Sequence, residues 1–117
     1  MTASVPAEFW TALEALVESS RLVIDRPKGS RHPRFPSVVY PVDYGYLEGT
    51  AAIDGNGVDA WRGTAGDGRI AAAICTVDLM KKDTEVKILI GCSAAEIAAV
   101  EAFCNGSPYM KGALIRR

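Results

Sequence analysis

Apolar side chains recur along the first segment of the chain with the period of a helix, and afterwards mostly with the period of a strand. Phe9, Leu13, Leu16 and Val17 fall at i, i+4, i+7 and i+8, and Trp10 widens the stripe; the pattern predicts an amphipathic helix laid on a core. Ser4 is its expected cap, and Pro6 suits a first turn, where its missing N–H has no intrahelical acceptor. Arg21–Arg26 is rich in β-branched residues and reads as a short strand. Further strands are expected at 37–40, Val58–Arg62, 69–77 and 85–91. Residues 70–77 are apolar throughout, but their length, their β-branched members and the Gly66-Asp67-Gly68 turn before them favour a buried strand over a helix. In 85–90, Val86, Ile88 and Ile90 share one face and Glu85, Lys87 and Leu89 the other, so Glu85 and Lys87 point the same way.

Ser93 and Glu96 have the spacing of a capping box. The helix they open buries Ile97, Val100 and Cys104, with Phe103 alongside, and Gly106 ends it. The tail either adds a short strand at 113–115 or stays loose. Several short strands flanked by a helix at each end predict an α+β fold, mainly β, built as a small barrel.

Composition narrows the picture. With 117 residues the chain holds one domain, 1–117, and 49% hydrophobic against 23% charged residues suits a folded core. A net charge of −1, from 13 basic and 14 acidic residues, argues against broad nucleic-acid binding. No run approaches the roughly 20 apolar residues that span a bilayer, so no membrane partner is expected. The N-terminus lacks the basic and apolar regions of a secretion signal, which leaves a soluble cytoplasmic protein as the expectation. Cys75, Cys92 and Cys104 form no CxxC pair and sit in or beside apolar runs, as buried thiols do. His32 is the sole histidine, so a His-rich metal site or a Ser/His/Asp arrangement would depend on it.

The chemistry concentrates in two blocks. Pro27, Gly29, Pro33 and Pro36 make a loop around Arg26, Lys28, Arg31, His32 and Arg34, which is either solvated charge or an anion-binding segment. Residues 40–46 read YPVDYGY and residues 54–59 read DGNGVD, around a glycine-studded turn. On a barrel rim Asp54, Asp59, Asp78, Asp83 and Glu85 would gather at one mouth, and they would repel strongly unless cations lay between them. Magnesium suits such a set, because it takes oxygen ligands and keeps waters for substrate phosphates. An EF-hand does not fit: the sixth position of the DGNGVD loop is Asp59, not glycine, and the twelfth is Ala65, not glutamate.

These residues resemble a family. YPVDYGYLEGT at 40–50, then DGNGVD at 54–59, is similar to the YPxNYGYIPGT…DGDPxD core of the family I soluble inorganic pyrophosphatases. Ile24-Asp25-Arg26-Pro27-Lys28-Gly29-Ser30 resembles that family's EIPKGS block, and Asp78…Asp83-Thr84-Glu85-Val86-Lys87 its later acidic segment, in the same order. The likeness covers roughly residues 22–91. It implies an OB-like five-stranded barrel and a Mg²⁺-dependent hydrolase of pyrophosphate or a related phosphoanhydride. By the same likeness Asp54, Asp59 and Asp78 are metal ligands, and either Asp83 or Glu85 is the next one. Lys87 and Tyr44 would contact phosphate, with Lys28 and Arg34 as further substrate-binding cations.

The departures matter as much. The family's middle motif aspartate is Asn56 here, and an amide holds a water but cannot accept its proton. Asn56, Tyr44 and Lys87 are therefore the candidate catalytic residues, with metal-bound hydroxide as the remaining nucleophile. The hairpin that precedes the tyrosine block in the family is missing together with its arginine, and Arg31, His32 or Arg34 would have to replace it. Only Tyr109 and Lys111 are available to match the family's late Tyr-Lys pair. Two other readings stand beside hydrolysis: a catalytically impaired module that binds metal and phosphate, and a barrel that binds single-stranded nucleic acid, against which the charge balance counts. The family's members are commonly oligomers, and Trp10 or Phe9, if exposed, could serve a homo-oligomer interface.

Overall fold

The computed structural model describes residues 5–52 and 55–117. In chain order its elements are α1 (Ala7–Glu18), β1 (Arg21–Arg26), β2 (Asp43–Glu48), β3 (Val58–Arg62), β4 (Ile70–Asp78), β5 (Asp83–Ile90), α2 (Ala94–Cys104) and β6 (Met110–Arg116). The six strands form one mixed sheet in the order β1-β2-β3-β5-β4-β6. All neighbours run antiparallel except β3 and β5, which are parallel over Ala60↔Ile88, Trp61↔Leu89 and Arg62↔Ile90. The fold is α+β and mainly β, but the sheet has six strands and does not close, with β1 and β6 at its edges, where a five-stranded barrel was expected. No helix among the described residues is long and apolar enough to cross a membrane.

Strand alternation gives the sheet two apolar faces, and each face takes one helix. Ala60, Ala73, Ile88 and Ile90 lie under α1, where Trp10 is buried and Phe9, Leu13, Leu16 and Val17 surround it. Trp10 therefore belongs to the core and offers no exposed interface. Glu14 fastens the helix, accepting from the Ile70 backbone N–H at 3.0 Å and from the Arg117 guanidinium at 2.7 Å. On the opposite face Trp61, Ala72, Ile74 and Leu89 meet Ile97, Val100 and Cys104 of α2. Burial raises the thiol pKa of Cys92 to about 12 and that of Cys104 to about 11, so both stay protonated.

Differences from the sequence expectations have local causes. The second half of the tyrosine block, from Asp43, belongs to a strand, β2, and not to a turn; the strand expected at 37–40 lies instead in a loop that pairs with itself. Gly29 N–H donates to Tyr40 O, Tyr40 N–H to Ser30 O and His32 N–H to Val38 O, and only the single bridge Arg31↔Val39 is strand-like. Pro36 and Pro41 bracket that stretch and cannot donate to a ladder. The tail is not loose: β6 spans Met110–Arg116 against β4. Ser4, the expected cap of α1, lies outside the described residues, and Pro6 is the N-cap without a side-chain bond. The capping box of α2 is present, with Ser93 Oγ accepting from Glu96 N–H at 3.2 Å and Glu96 Oε1 accepting from Ser93 N–H at 2.8 Å.

Gly45, at the centre of β2, is set by a close approach: a Cβ there would lie 1.8 Å from the Val23 carbonyl oxygen of β1. Gly45→Ala should lower the unfolding free energy by about 3 kcal/mol, measured by urea denaturation, because β1 cannot then keep its register.

Two carboxylates make stability fall in acid. Asp43 is held below the usual carboxylate range by the Lys28 backbone N–H and by Arg62, and Glu96 by the N–H groups of Ser93 and Thr64. A carboxylate with a depressed folded-state pKa stabilises fully above its unfolded value, about 4, and loses that contribution as pH falls through the folded value. The melting temperature should therefore drop between about pH 5 and pH 3, with a smaller drop in the variant Asp43→Asn/Glu96→Gln.

Candidate functional site

The face that carries α2 changes character along its length. Near the helix it is apolar, at Trp61, Leu89 and Ile74. Two residues further along the same strands it becomes Asp59, Lys87 and Thr76, and Glu85 follows two beyond Lys87. Tyr44 and Tyr46 of β2 sit opposite Trp61 and Asp59. The Tyr44 ring bridges the two zones, edge-on to Trp61 with centroids 4.6 Å apart.

Lys87 organises the polar end. Its ammonium lies 2.7 Å from Tyr44 Oη, 3.1 Å from Asp59 Oδ2 and 3.1 Å from Glu85 Oε2, so three oxygens surround a nitrogen that carries three N–H bonds. The shared face predicted for Glu85 and Lys87 is present as this contact. Tyr44 in turn donates to Asp59 Oδ2 at 2.7 Å. Burial works against the Lys87 charge, but Tyr44, Asp59 and Glu85 outweigh it and hold the pKa above its ordinary value. Burial also raises the Tyr44 pKa, keeping the phenol a donor.

Tyr44 and Asp59 form part of the wall of a cleft of about 520 Å³. Its remaining walls come from the β1–β2 edge, the loop between β2 and β3, and the turn between β4 and β5. A bulge in β1 leaves Asp25 without a partner between the pairs Ile24↔Gly45 and Arg26↔Tyr44, and both Asp25 and Arg26 line the cleft. Strict alternation would send them to opposite faces. Asn56 lines it from the motif loop, which Gly57 turns inward at φ +90° and Thr50 ties down by accepting from Val58 N–H at 2.9 Å. Lys81 reaches it from the β4–β5 turn, where Asp78 Oδ1 accepts from the N–H groups of Met80 and Lys81, each at 3.0 Å.

The structure divides the expected site. Tyr44, Asn56 and Asp59 share the cleft, whereas Lys87 stands behind Tyr44 and Asp59 with its oxygens already supplied and does not line it. Asp78 and Asp83 face each other at the base of the β4–β5 turn and line a separate depression of about 650 Å³ with Lys82. Glu85 is held on Lys87. Asp54 lies outside the described residues. Lys28 and Arg34 are exposed loop residues that do not line the cleft; their backbone N–H groups donate to Asp43 and His32. Tyr109 is exposed at the start of β6, and neither it nor Lys111 lines the cleft. The expected convergence of five carboxylates on one mouth is not found: among the described residues no three His, Cys, Asp or Glu side chains form a metal-holding group. What the cleft does provide is oxygen donors of the kind magnesium takes, from Asp25, Asn56 and Asp59.

Asp25, Arg26 and Lys81 carry more of the site than their spacing suggested. Asp25 and Arg26 were visible beside the EIPKGS-like block, but only the bulge turns both to one side. Lys81 had no signal, since its position depends on the parallel pairing of β3 with β5. No protein-family model matches the chain, and no curated protein matches it.

Removing the ammonium would leave Asp59 and Glu85 facing each other in a poorly solvated place. Lys87→Met should cost about 3–5 kcal/mol of stability in urea denaturation, and Lys87→Met/Glu85→Gln should recover part of it.

Proposed function

We propose that the cleft binds a phosphoanhydride and hydrolyses it with the help of Mg²⁺, pyrophosphate being the simplest substrate of the class. The observation that carries this reading is the juxtaposition in one cleft of two cations, Arg26 and Lys81, with the oxygen donors Asp25, Asn56 and Asp59. A phosphoryl group needs both kinds of neighbour: cations against its charge, and oxygen donors to hold a divalent ion and a water beside it. The likeness of the 40–59 block to the pyrophosphatase motif supports the same reading.

Asp59 and Asp25, together with Asp54 of the same motif, are the residues that would hold Mg²⁺. The ion, when bound, supplies charge neutralisation and a more acidic water. Tyr44 donates a hydrogen bond from a phenol that stays protonated. Lys87 acts as a positioning residue: it fixes Asp59 Oδ2 and Tyr44 Oη, and Arg26 and Lys81 supply the cationic contacts that the family resemblance assigns to Lys87, Lys28 and Arg34. Asn56 orients a water through its amide and takes no proton from it.

A second reading, a module that binds phosphate and metal with little turnover, is favoured by one specific observation. Asn56 lines the cleft where the family motif has a carboxylate, which removes general-base assistance worth about 10²–10⁴-fold.

Phosphate release from pyrophosphate with Mg²⁺ tests both. Hydrolysis predicts measurable release by the wild type, a rise of roughly 10²-fold in Asn56→Asp and loss in Asp59→Ala. A wild type and Asn56→Asp that both bind pyrophosphate, yet release nothing, would leave only the binding module. No pyrophosphate-dependent shift in melting temperature would remove both.

A further inference from the structure

Arg26 reaches the cleft with its charge unmatched. Arg62 and Arg117 are paired with carboxylates, Asp43 at 3.1 Å and Glu14 at 2.7 Å, and Lys87 lies between Asp59 and Glu85. Arg26 forms no such pair, with Asp25 or with any other carboxylate among the described residues. Its guanidinium instead donates from Nη1 to the Tyr40 hydroxyl, and it lies over the Tyr40 ring, 5.5 Å from the centroid. A phenol is uncharged at neutral pH, so it orients a guanidinium without neutralising it. The guanidinium carries five N–H bonds in a planar fork, and the bond to Tyr40 leaves donors for two oxygens of an anion.

Tyr40 is itself held from two sides. Its ring is buried against Tyr44, Trp61 and Phe103, with centroids 5.4, 6.0 and 5.2 Å away. Its main chain is tied to the segment that follows Arg26: Gly29 N–H donates to Tyr40 O at 2.8 Å, and Tyr40 N–H donates to Ser30 O at 3.0 Å. Yet Tyr40 does not line the cleft, whereas Arg26 does. The hydroxyl therefore fixes a cleft cation from outside the cleft. A long side chain held in place before the ligand arrives loses less rotamer freedom on binding.

We propose that Tyr40 is the positioning residue of Arg26, holding the guanidinium in the cleft with its charge and most of its donors kept for a phosphoryl group. The proposal rests on the phosphoanhydride reading of the cleft. It gives the first tyrosine of the 40–46 block a task distinct from that of Tyr44, which lies on the cleft wall.

Calorimetric titration of the whole protein with pyrophosphate in the presence of Mg²⁺ tests it in four forms: wild type, Tyr40→Phe, Arg26→Gln and Tyr40→Phe/Arg26→Gln. Tyr40→Phe keeps the ring and removes only the hydroxyl, and the melting temperature of each form checks the fold. Tyr40→Phe should weaken pyrophosphate roughly tenfold. Arg26→Gln should weaken it at least as much, and the double variant no more than Arg26→Gln alone, since the two residues act as one unit. Unchanged affinity in Tyr40→Phe would overturn the proposal and leave the phosphoanhydride reading intact. A Tyr40→Phe loss that persists in the Arg26→Gln background would also overturn it, because Tyr40 would then act through the packing of the site and not through Arg26. A wild type that binds no pyrophosphate would remove the proposal and the phosphoanhydride reading together. The expected pattern of affinities without phosphate release would uphold the proposal and remove hydrolysis.

Discussion

A buried ammonium sets the terms for the polar end of this structure. Taking the Lys87 charge out of water costs several kcal/mol unless oxygens replace the lost hydration. Those oxygens come from three strands: Tyr44 on β2, Asp59 on β3, and Glu85 beside Lys87 itself on β5. Asp59 and Lys87 each sit one residue before the parallel pair Ala60↔Ile88. Their contact therefore continues the β3–β5 pairing with side chains just where its backbone register begins. This is the junction through which the β4–β5 hairpin is brought beside the motif loop, and so the junction that lets Lys81 reach the cleft.

The same contact explains why the cleft is polar without being a collapsed cluster of like charges. Carboxylates left alone at that end would repel and raise one another's pKa. Lys87 neutralises Asp59 and Glu85 from behind, the Asp78 carboxylate caps its own turn, and Asp25 is turned in by a bulge on the far wall. The acidic residues are thus spread over several jobs, and the cleft receives them in a mixture with Arg26 and Lys81. The apolar half of the same sheet face, from Trp61 to Ile74 under α2, supplies the rigid backing against which Tyr44 is held.

Much of the fold was legible from local pattern. The α1 stripe, the continuous apolar run of β4, the two-residue alternation of β5 and the capping box of α2 each follow from short-range geometry, and each appears where that geometry puts it. The tyrosine block was harder. Its glycines and its proline neighbour read as a turn, yet Gly45 serves strand pairing, because only a residue without Cβ lets the Val23 carbonyl come so close. In the site, Tyr44, Asn56 and Asp59 could be named from one motif. The grouping of Asp78 and Asp83 with them could not be judged, since it depended on which side of the β4–β5 turn faces the motif loop.

The sequence by itself determined α1, α2 and the strands β1, β3, β4 and β5, the apolar faces of these elements, and that Glu85 and Lys87 share a side, because these depend on periodicity and on neighbours a few residues apart. Only the tertiary structure decided what Lys87 does and which cations line the cleft. Those outcomes turn on the parallel register of β3 with β5 and on the bulge at Asp25, which bring together groups far apart in the chain. An ammonium that finds three oxygens at that junction becomes structural, and Arg26 and Lys81 are left as the cations on the cleft wall.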